Sequence, residues 1–186
     1  MRRKKLKEEE FYHLINHGPC VLITSGSLNR KEINVAPIAW STPLNDDPPL
    51  VIICVASSHY TSFLIEKYKE FVINVVGEKL LKAIKICGSI SGKNINKFQK
   101  ANLTPQKSKC VNTPFLKESI GHIECKLYKK EIFSGVNLYI GKVVHCEVLE
   151  NFYDKYLITE KAKTPHHVGG NLFFLSGKRK KLLTNL

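Results

Sequence analysis

Hydroxyls, a histidine and a run of small residues lie close together between Asn34 and Thr61. The segment opens Asn34-Val35-Ala36-Pro37-Ile38-Ala39-Trp40-Ser41-Thr42-Pro43-Leu44 and turns through Asp46-Asp47-Pro48-Pro49. It continues as the apolar run Leu50-Val51-Ile52-Ile53-Cys54-Val55-Ala56 and ends in Ser57-Ser58-His59-Tyr60-Thr61. Ala36, Ala39 and Ser41 are small enough for a flat ring to approach the backbone, whose amides could then read its polar edge. Pro37 and Pro43 remove two backbone donors, which suits either a strand bulged beside a ligand or a plain sheet edge. Ser57, Ser58 and Thr61 stand where a helical pattern begins. Hydroxyls and free amides at a helix N-terminus hold an anion, helped by the helix dipole, and His59 adds a further donor. The same residue types also serve as ordinary helix caps. Taken together, the two strands and the hydroxyl cluster could cradle a planar cofactor that carries a phosphate.

Other candidates are weaker. Asn74 interrupts the apolar run Phe71-Val72-Ile73-Asn74-Val75, and a buried Asn needs partners for two donors and an acceptor. It either ties backbone across a barrel seam or faces a ligand. His166 and His167 precede Gly169-Gly170, but neighbours in an extended segment point in opposite directions, so the pair is a poor chelate. No metal is expected. The chain has no nucleophile elbow, no paired carboxylates, no G-x-G-x-x-G and no phosphate-binding loop of the Walker type. Any catalysis is therefore expected to belong to a cofactor.

The elements that must position these groups can be read from periodicity. Leu6, Phe11, Leu14 and Ile15 have helical spacing and Gly18-Pro19 stops them. Strands are expected at 20–24, 33–41, 50–57 and 70–76, with a helix over 61–68 and a mixed helical region from Glu78 to about Leu103, broken at Gly88 and Gly92. Two longer strands follow at 122–128 and 137–149, joined through Phe133-Ser134-Gly135-Val136-Asn137. In the second, Leu138, Ile140, Val144, Cys146 and Val148 are expected to share the inner face. A last short strand is expected over 168–174. Period-two alternation with few helices argues for a mainly β, antiparallel barrel, because a parallel sheet would need a helix after most strands.

A chain of 186 residues with 43% hydrophobic and 24% charged content reads as one globular domain, 1–186, with short basic tails. No apolar run reaches the ~20 residues of a membrane span, and the charged N-terminus is unlike a signal peptide; the cytoplasm is the expected location. The six cysteines include no C-x-x-C pair and are expected to be reduced and mostly buried. The formal net charge is +13, of which Arg2, Arg3, Lys4, Lys5, Lys7, Lys178, Arg179, Lys180 and Lys181 supply nine, leaving +4 elsewhere. With the excess in the tails and no recognition motif in the body, nucleic acid is not the expected partner.

The ordered series of segments resembles a known family. After 34–44 come Asp47-Pro48-Pro49-Leu50-Val51, Ser57-Ser58-His59-Tyr60-Thr61, Phe71-Val72-Ile73-Asn74 and Ser91-Gly92-Lys93-Asn94-Ile95-Asn96-Lys97-Phe98. Ile123-Glu124-Cys125 and Asn137-Leu138-Tyr139-Ile140-Gly141-Lys142-Val143 close it. This is similar to the flavin-reductase-like FMN-binding split barrels, nearest the flavoredoxin and ferric-reductase-like branch. The resemblance covers about residues 18 to 150 plus Gly169-Gly170, and rests on the order of the segments rather than on any one motif. It implies an antiparallel Greek-key split barrel with a few short helices, homodimeric, with FMN near the interface. It further implies that Asn34, Ala36, Pro37, Ile38, Ala39, Trp40 and Ser41 line the isoalloxazine, and that Ser57, Ser58, His59 and Thr61 hold the phosphate. Asn74 and Lys97 would support the cofactor, and Asn137 and His167 would meet the substrate. The implied activity passes electrons from NAD(P)H or a protein donor through FMN to flavin, iron or a protein acceptor. Many NAD(P)H-using members carry a His where this chain has Asn137, and that departure leaves the donor open. A non-catalytic FMN carrier, or a basic nucleic-acid-binding protein on the same scaffold, is the alternative.

Overall fold

The computed structural model describes residues 18–181 together with Lys7, Tyr12, Leu14 and Ile15. Most of the helix expected from Leu6 onward, and the basic N-terminal tail apart from Lys7, lie outside the described residues.

Seven strands form one antiparallel sheet. They are β1 (Val21–Ser27), β2 (Glu32–Ile38), β3 (Ser41–Asp46), β4 (Pro49–Ala56), β5 (Glu70–Val75) and two long strands. Between β4 and β5 lies helix α1 (Tyr60–Tyr68), and α2 (Leu81–Ser89) and α3 (Lys97–Lys100) follow β5. The chain then runs through short strands β6 (Pro105–Gln106) and β7 (Phe115–Leu116) into the long hairpin β8 (Gly121–Phe133) and β9 (Val136–Val148). Ser134 and Gly135 turn that hairpin with φ of 41° and 90°, the left-handed pair a two-residue hairpin loop needs. Helix α4 (Thr159–Ala162) and the hairpin β10 (Pro165–Gly169) and β11 (Leu172–Leu175) end the described chain.

The sheet order is β2-β1-β5-β8-β9-β4-β3. Its edges, β2 and β3, are consecutive in sequence and joined only by Ala39-Trp40. The sheet must therefore roll until its edges meet at that corner, yet no ladder closes them. This is the antiparallel Greek-key split barrel expected from the sequence. The expected single strand 33–41 is divided at the corner.

Period-two alternation sorts β1 between two cores. Val21 and Ile23 point into the barrel with Ile53, Phe71, Ile73, Cys125 and Tyr139. Leu22 points outward and packs with Val35, Ala83, Ile84, Cys87, Phe98 and Leu116, where α2 and α3 cover the sheet. Helix α1 reaches the interior through Ile65. Among the described residues, no helix is long and apolar enough to cross a membrane.

Four expectations need correction. The inner face of β9 is Asn137, Tyr139 and Gly141, not the apolar set Leu138, Ile140 and onward. Gly141 is needed there because a Cβ would come 2.4 Å from the Phe71 ring, and the buried Tyr139 hydroxyl finds a carboxylate (below). The last strand is a hairpin turned at Gly170 (φ 55°). The cysteines are not mostly buried: Cys20, Cys87 and Cys125 are, Cys54 is half-buried, and Cys110 and Cys146 are exposed. Nor is the basic C-terminal stretch merely solvated, since Arg179 forks onto Asp154 at 2.8 Å through both terminal nitrogens.

Candidate functional site

Strand β2 has β1 on one side and, among the described residues, no strand on the other. Pro37, which has no N–H to give, sits on this open edge as edge strands allow. A cleft runs along it between the N-terminus of α1 and the segment from α2 to α3. Its polar end is a cavity of about 420 Å³ lined by Asn34, Ala36, Pro37, Ser58, His59, Tyr60, Thr61, the 87–92 segment and Lys97.

Helix α1 begins here without a cap: the preceding His59 makes no side-chain hydrogen bond to the helix. Two serine hydroxyls are used elsewhere, Ser57 donating to Gly135 O at 3.0 Å and Ser62 to Ala56 O at 2.9 Å. The backbone amides of Tyr60 and Thr61 donate to nothing among the described residues. Free amides at the positive end of a nine-residue helix make an anion site.

Behind them, Asn34 donates to Thr61 Oγ1 at 2.9 Å, and its Oδ1, though buried, has no partner. Gly92 presses against this amide, for a Cβ there would lie 2.0 Å from Oδ1; a Cβ on Gly88 would lie 3.1 Å from the Pro37 ring. The two glycines let the 87–92 segment, the end of α2 and the turn after it, close on β2.

Lys97 completes the wall. Only 6% exposed, it gives one hydrogen bond, to Cys87 O at 2.6 Å, and no carboxylate pairs with it among the described residues. Burial pushes its pKa below the ordinary lysine value, while burial pushes the Cys87 thiol up to about 11. A buried ammonium without a counter-charge is costly. An anion in the cavity removes that cost.

The cleft continues from this end. A second cavity, about 340 Å³, shares Pro37, Gly88 and Ser89 with the first and adds Ala39, His167 and Phe173. A third, about 550 Å³, shares Ala39 and is lined by Trp40, Ser41, Tyr12 and Ile52. The largest of the three, it is mostly apolar, and polar groups are richest in the first.

Four expected site residues fall outside these cavities. Ile38 turns into the barrel core, leaving only its backbone to the cleft, and Ser57 is held by Gly135. Asn74, fully buried, donates to Leu22 O at 2.8 Å and accepts from Leu116 N at 2.7 Å. It is a tie between β5, β1 and β7, not a cofactor contact. Asn137 is likewise drawn inward, donating to Tyr139 Oη at 2.9 Å and Glu66 Oε1 at 3.3 Å. Tyr139 donates to the same carboxylate at 2.8 Å and Lys130 pairs with it at 2.8 Å. Lys130 holds Glu66 below the ordinary carboxylate value, and burial raises Tyr139 to about 12. The expected break at Gly88 is not seen, since α2 runs through it to Ser89, and the sequence reading missed that Gly88 and Gly92 let the 87–92 segment close on β2.

The family model for the flavin reductase like domain matches residues 14–165. An uncharacterized protein of Archaeoglobus fulgidus is 34% identical over 133 residues, 72% of this chain and 73% of its own. Among solved structures, the flavoredoxin of Desulfovibrio vulgaris (Miyazaki F) superposes with a TM-score of 0.86 at 19% identity, covering 100% of this chain and 98% of that one. An FMN-binding protein from Thermus thermophilus gives 0.81 at 20% identity, covering 98% and 99%. At these identities the two structures speak for the fold; the family match, over most of the sequence and all seven barrel strands, places the chain in the flavin reductase-like family.

Proposed function

We propose that the chain is an FMN-dependent oxidoreductase that passes electrons from NAD(P)H or a protein donor to a flavin, iron or protein acceptor. One observation carries the reading: a single corner gathers free helix amides, an unpartnered buried Asn34 Oδ1 and an uncompensated Lys97. These fit one phosphate and the polar chain joined to it. The FMN-binding relative of the same fold supports the same cofactor.

Bound there, the flavin would supply the two-electron chemistry. The protein's part is binding and orientation. The α1 amides, the Ser58 hydroxyl and Lys97 hold the anionic end, and Asn34 Oδ1 accepts from a ligand hydroxyl. The open edge of β2 offers backbone to a ring lying over Pro37 and Ala39, and His167 and Phe173 shield its far side from water. A homodimer belongs to the same proposal, supported by exposed Trp40, Ile132 and Phe133, 49%, 66% and 60% accessible.

A carrier that does not oxidise NAD(P)H is the second reading, favoured by the engagement of Asn137 with Glu66 and Tyr139. The test is an FMN titration of the purified chain, followed by anaerobic mixing of the complex with NADH and NADPH while the flavin band is watched. Stoichiometric binding with rapid bleaching supports the reductase, and binding without bleaching supports the carrier. A chain that stays colourless with excess FMN sinks both.

A further inference from the structure

On the side of the sheet away from the barrel core, four residues form a square across the β8–β9 ladder. Each strand carries a His-x-Glu triplet, His122-Ile123-Glu124 and His145-Cys146-Glu147. Residues two apart on a strand share a face. The antiparallel register sets His122 opposite Glu147 and Glu124 opposite His145. Each histidine therefore faces a glutamate across the ladder and has another beside it along the strand.

The inner three converge. One ligand atom from each of His122, Glu124 and His145 lies within 4.8 Å of the others, with His122 Nε2 3.5 Å from Glu124 Oε1. Ligands at ~2.1 Å from a tetrahedral ion stand about 3.4 Å apart, so the set closes on an ion with small side-chain shifts. His122 is 5% exposed and Glu124 fully buried. Neither His122 Nε2 nor His145 Nε2 makes a hydrogen bond, although both atoms are buried.

Glu124 has no Lys or Arg in ion-pair reach among the described residues. Its oxygens accept from Lys109 N at 2.9 Å and Cys110 N at 2.6 Å, and each keeps a lone pair. A buried carboxylate beside two imidazole nitrogens that make no hydrogen bond has room for a cation. At the rim, Glu147 Oε1 is 3.3 Å from His145 Nε2 and Oε2 is 4.0 Å from His122 Nε2. It is bonded to Lys109 and is within reach to serve as a fourth ligand. An open cavity of about 450 Å³ reaches His122 and Glu147 from solvent and gives an entry path.

We propose that His122, Glu124 and His145, with Glu147 as the fourth ligand, form a binding site for a divalent first-row metal ion of the Zn²⁺ class. Two imidazoles and two carboxylates are the donor set such ions take. The ion clamps the 107–113 loop, already held by Glu124, onto the long hairpin. The site does not depend on the cofactor reading, because none of its residues lines the β2 cleft. The expectation of no metal weighed the cysteine spacing and the His166-His167 pair; the pairing of the two His-x-Glu triplets is a matter of register.

The test is calorimetric titration of the tag-free full chain with Zn²⁺ after chelator treatment, alongside thermal melts. One Zn²⁺ per chain and a raised Tm are expected. His145→Ala, at a half-buried position, should weaken binding at least about 100-fold, beyond the usual cost of losing an outer-shell partner. Glu147→Gln, at an exposed position, should weaken it less, and Cys110→Ser and Cys146→Ser should leave it unchanged. Absence of binding overturns the proposal. So does Zn²⁺ binding that survives His145→Ala, or that is lost in the cysteine variants instead.

Discussion

Replacing Lys97 with Met should separate what the cleft costs the empty protein from what it gives the ligand. The side chain keeps its length and apolar stem but loses the ammonium. In the free chain this removes one hydrogen bond to Cys87 O, worth about 1.5–3 kcal/mol for a charged donor. It also removes the cost of a buried charge without a carboxylate, which is of similar or larger size. The stability of the flavin-free protein should therefore stay within about 1 kcal/mol of the parent or rise. FMN affinity should move the other way. Losing a charged hydrogen bond to a phosphate costs about 1.5–3 kcal/mol, roughly 10- to 150-fold in Kd. Flavin-fluorescence titration measures the second effect and urea unfolding the first. Riboflavin, which lacks the phosphate, provides the control: its Kd should be nearly the same in both proteins. An unchanged FMN Kd, or an equal loss for riboflavin, would refute the placing of the phosphate beside Lys97. The pH dependence adds a sign. Because burial holds Lys97 below its ordinary 10.5, the folded chain releases this proton first. Between the lowered value and 10.5 the unfolded chain binds more protons, so stability rises with pH there. Lys97→Met should lose that rise.

Other expectations are simpler to state. Gly92→Ala places a methyl against Asn34 and should weaken FMN binding at least about tenfold, as a misplaced polar contact does, while circular dichroism stays native. Asn74→Leu strands the Leu116 amide and the Leu22 carbonyl in the core and should cost about 2–4 kcal/mol in urea unfolding; a loss below 1 kcal/mol would contradict its role as a tie. Glu66→Gln should flatten the acid side of the stability profile. Its folded pKa lies below the ordinary 4.5, so its stabilisation is present above 4.5 and lost as pH falls through the lowered value.

What could be read in advance depended on whether the information was local. Pro37 and Pro43 marked an edge because a missing N–H is a property of the residue itself, and β2 and β3 are the two edges. The Ser134-Gly135 turn was legible for the same reason. The inner face of β9 was misjudged because apolarity favoured Leu138 and Ile140, whereas burial followed partners: Phe71 over Gly141 and Glu66 for the Tyr139 hydroxyl. Asn137 went with that face and so left the cleft. Asn74 drew a resemblance-based role, but its amide N–H groups go to β1 and β5 and its oxygen accepts from β7 before any ligand arrives. The His-x-Glu triplets stand 20 residues or more apart, and nothing in either one announces that Glu124 will face His145.

The open side of β2 has a further meaning. A strand with an unpaired edge is a template on which another molecule's strand can grow, and proteins spend residues to spoil it. Here Pro37 spoils the pairing on β2 and Pro43 does the same on β3, at the two lips of the same seam. A ligand seated along β2 would shield the remainder of that edge. With such a ligand the stretch from Asn34 to Ser41 would serve colloidal stability as well as recognition, and the unliganded chain would be the form most exposed to strand-to-strand aggregation.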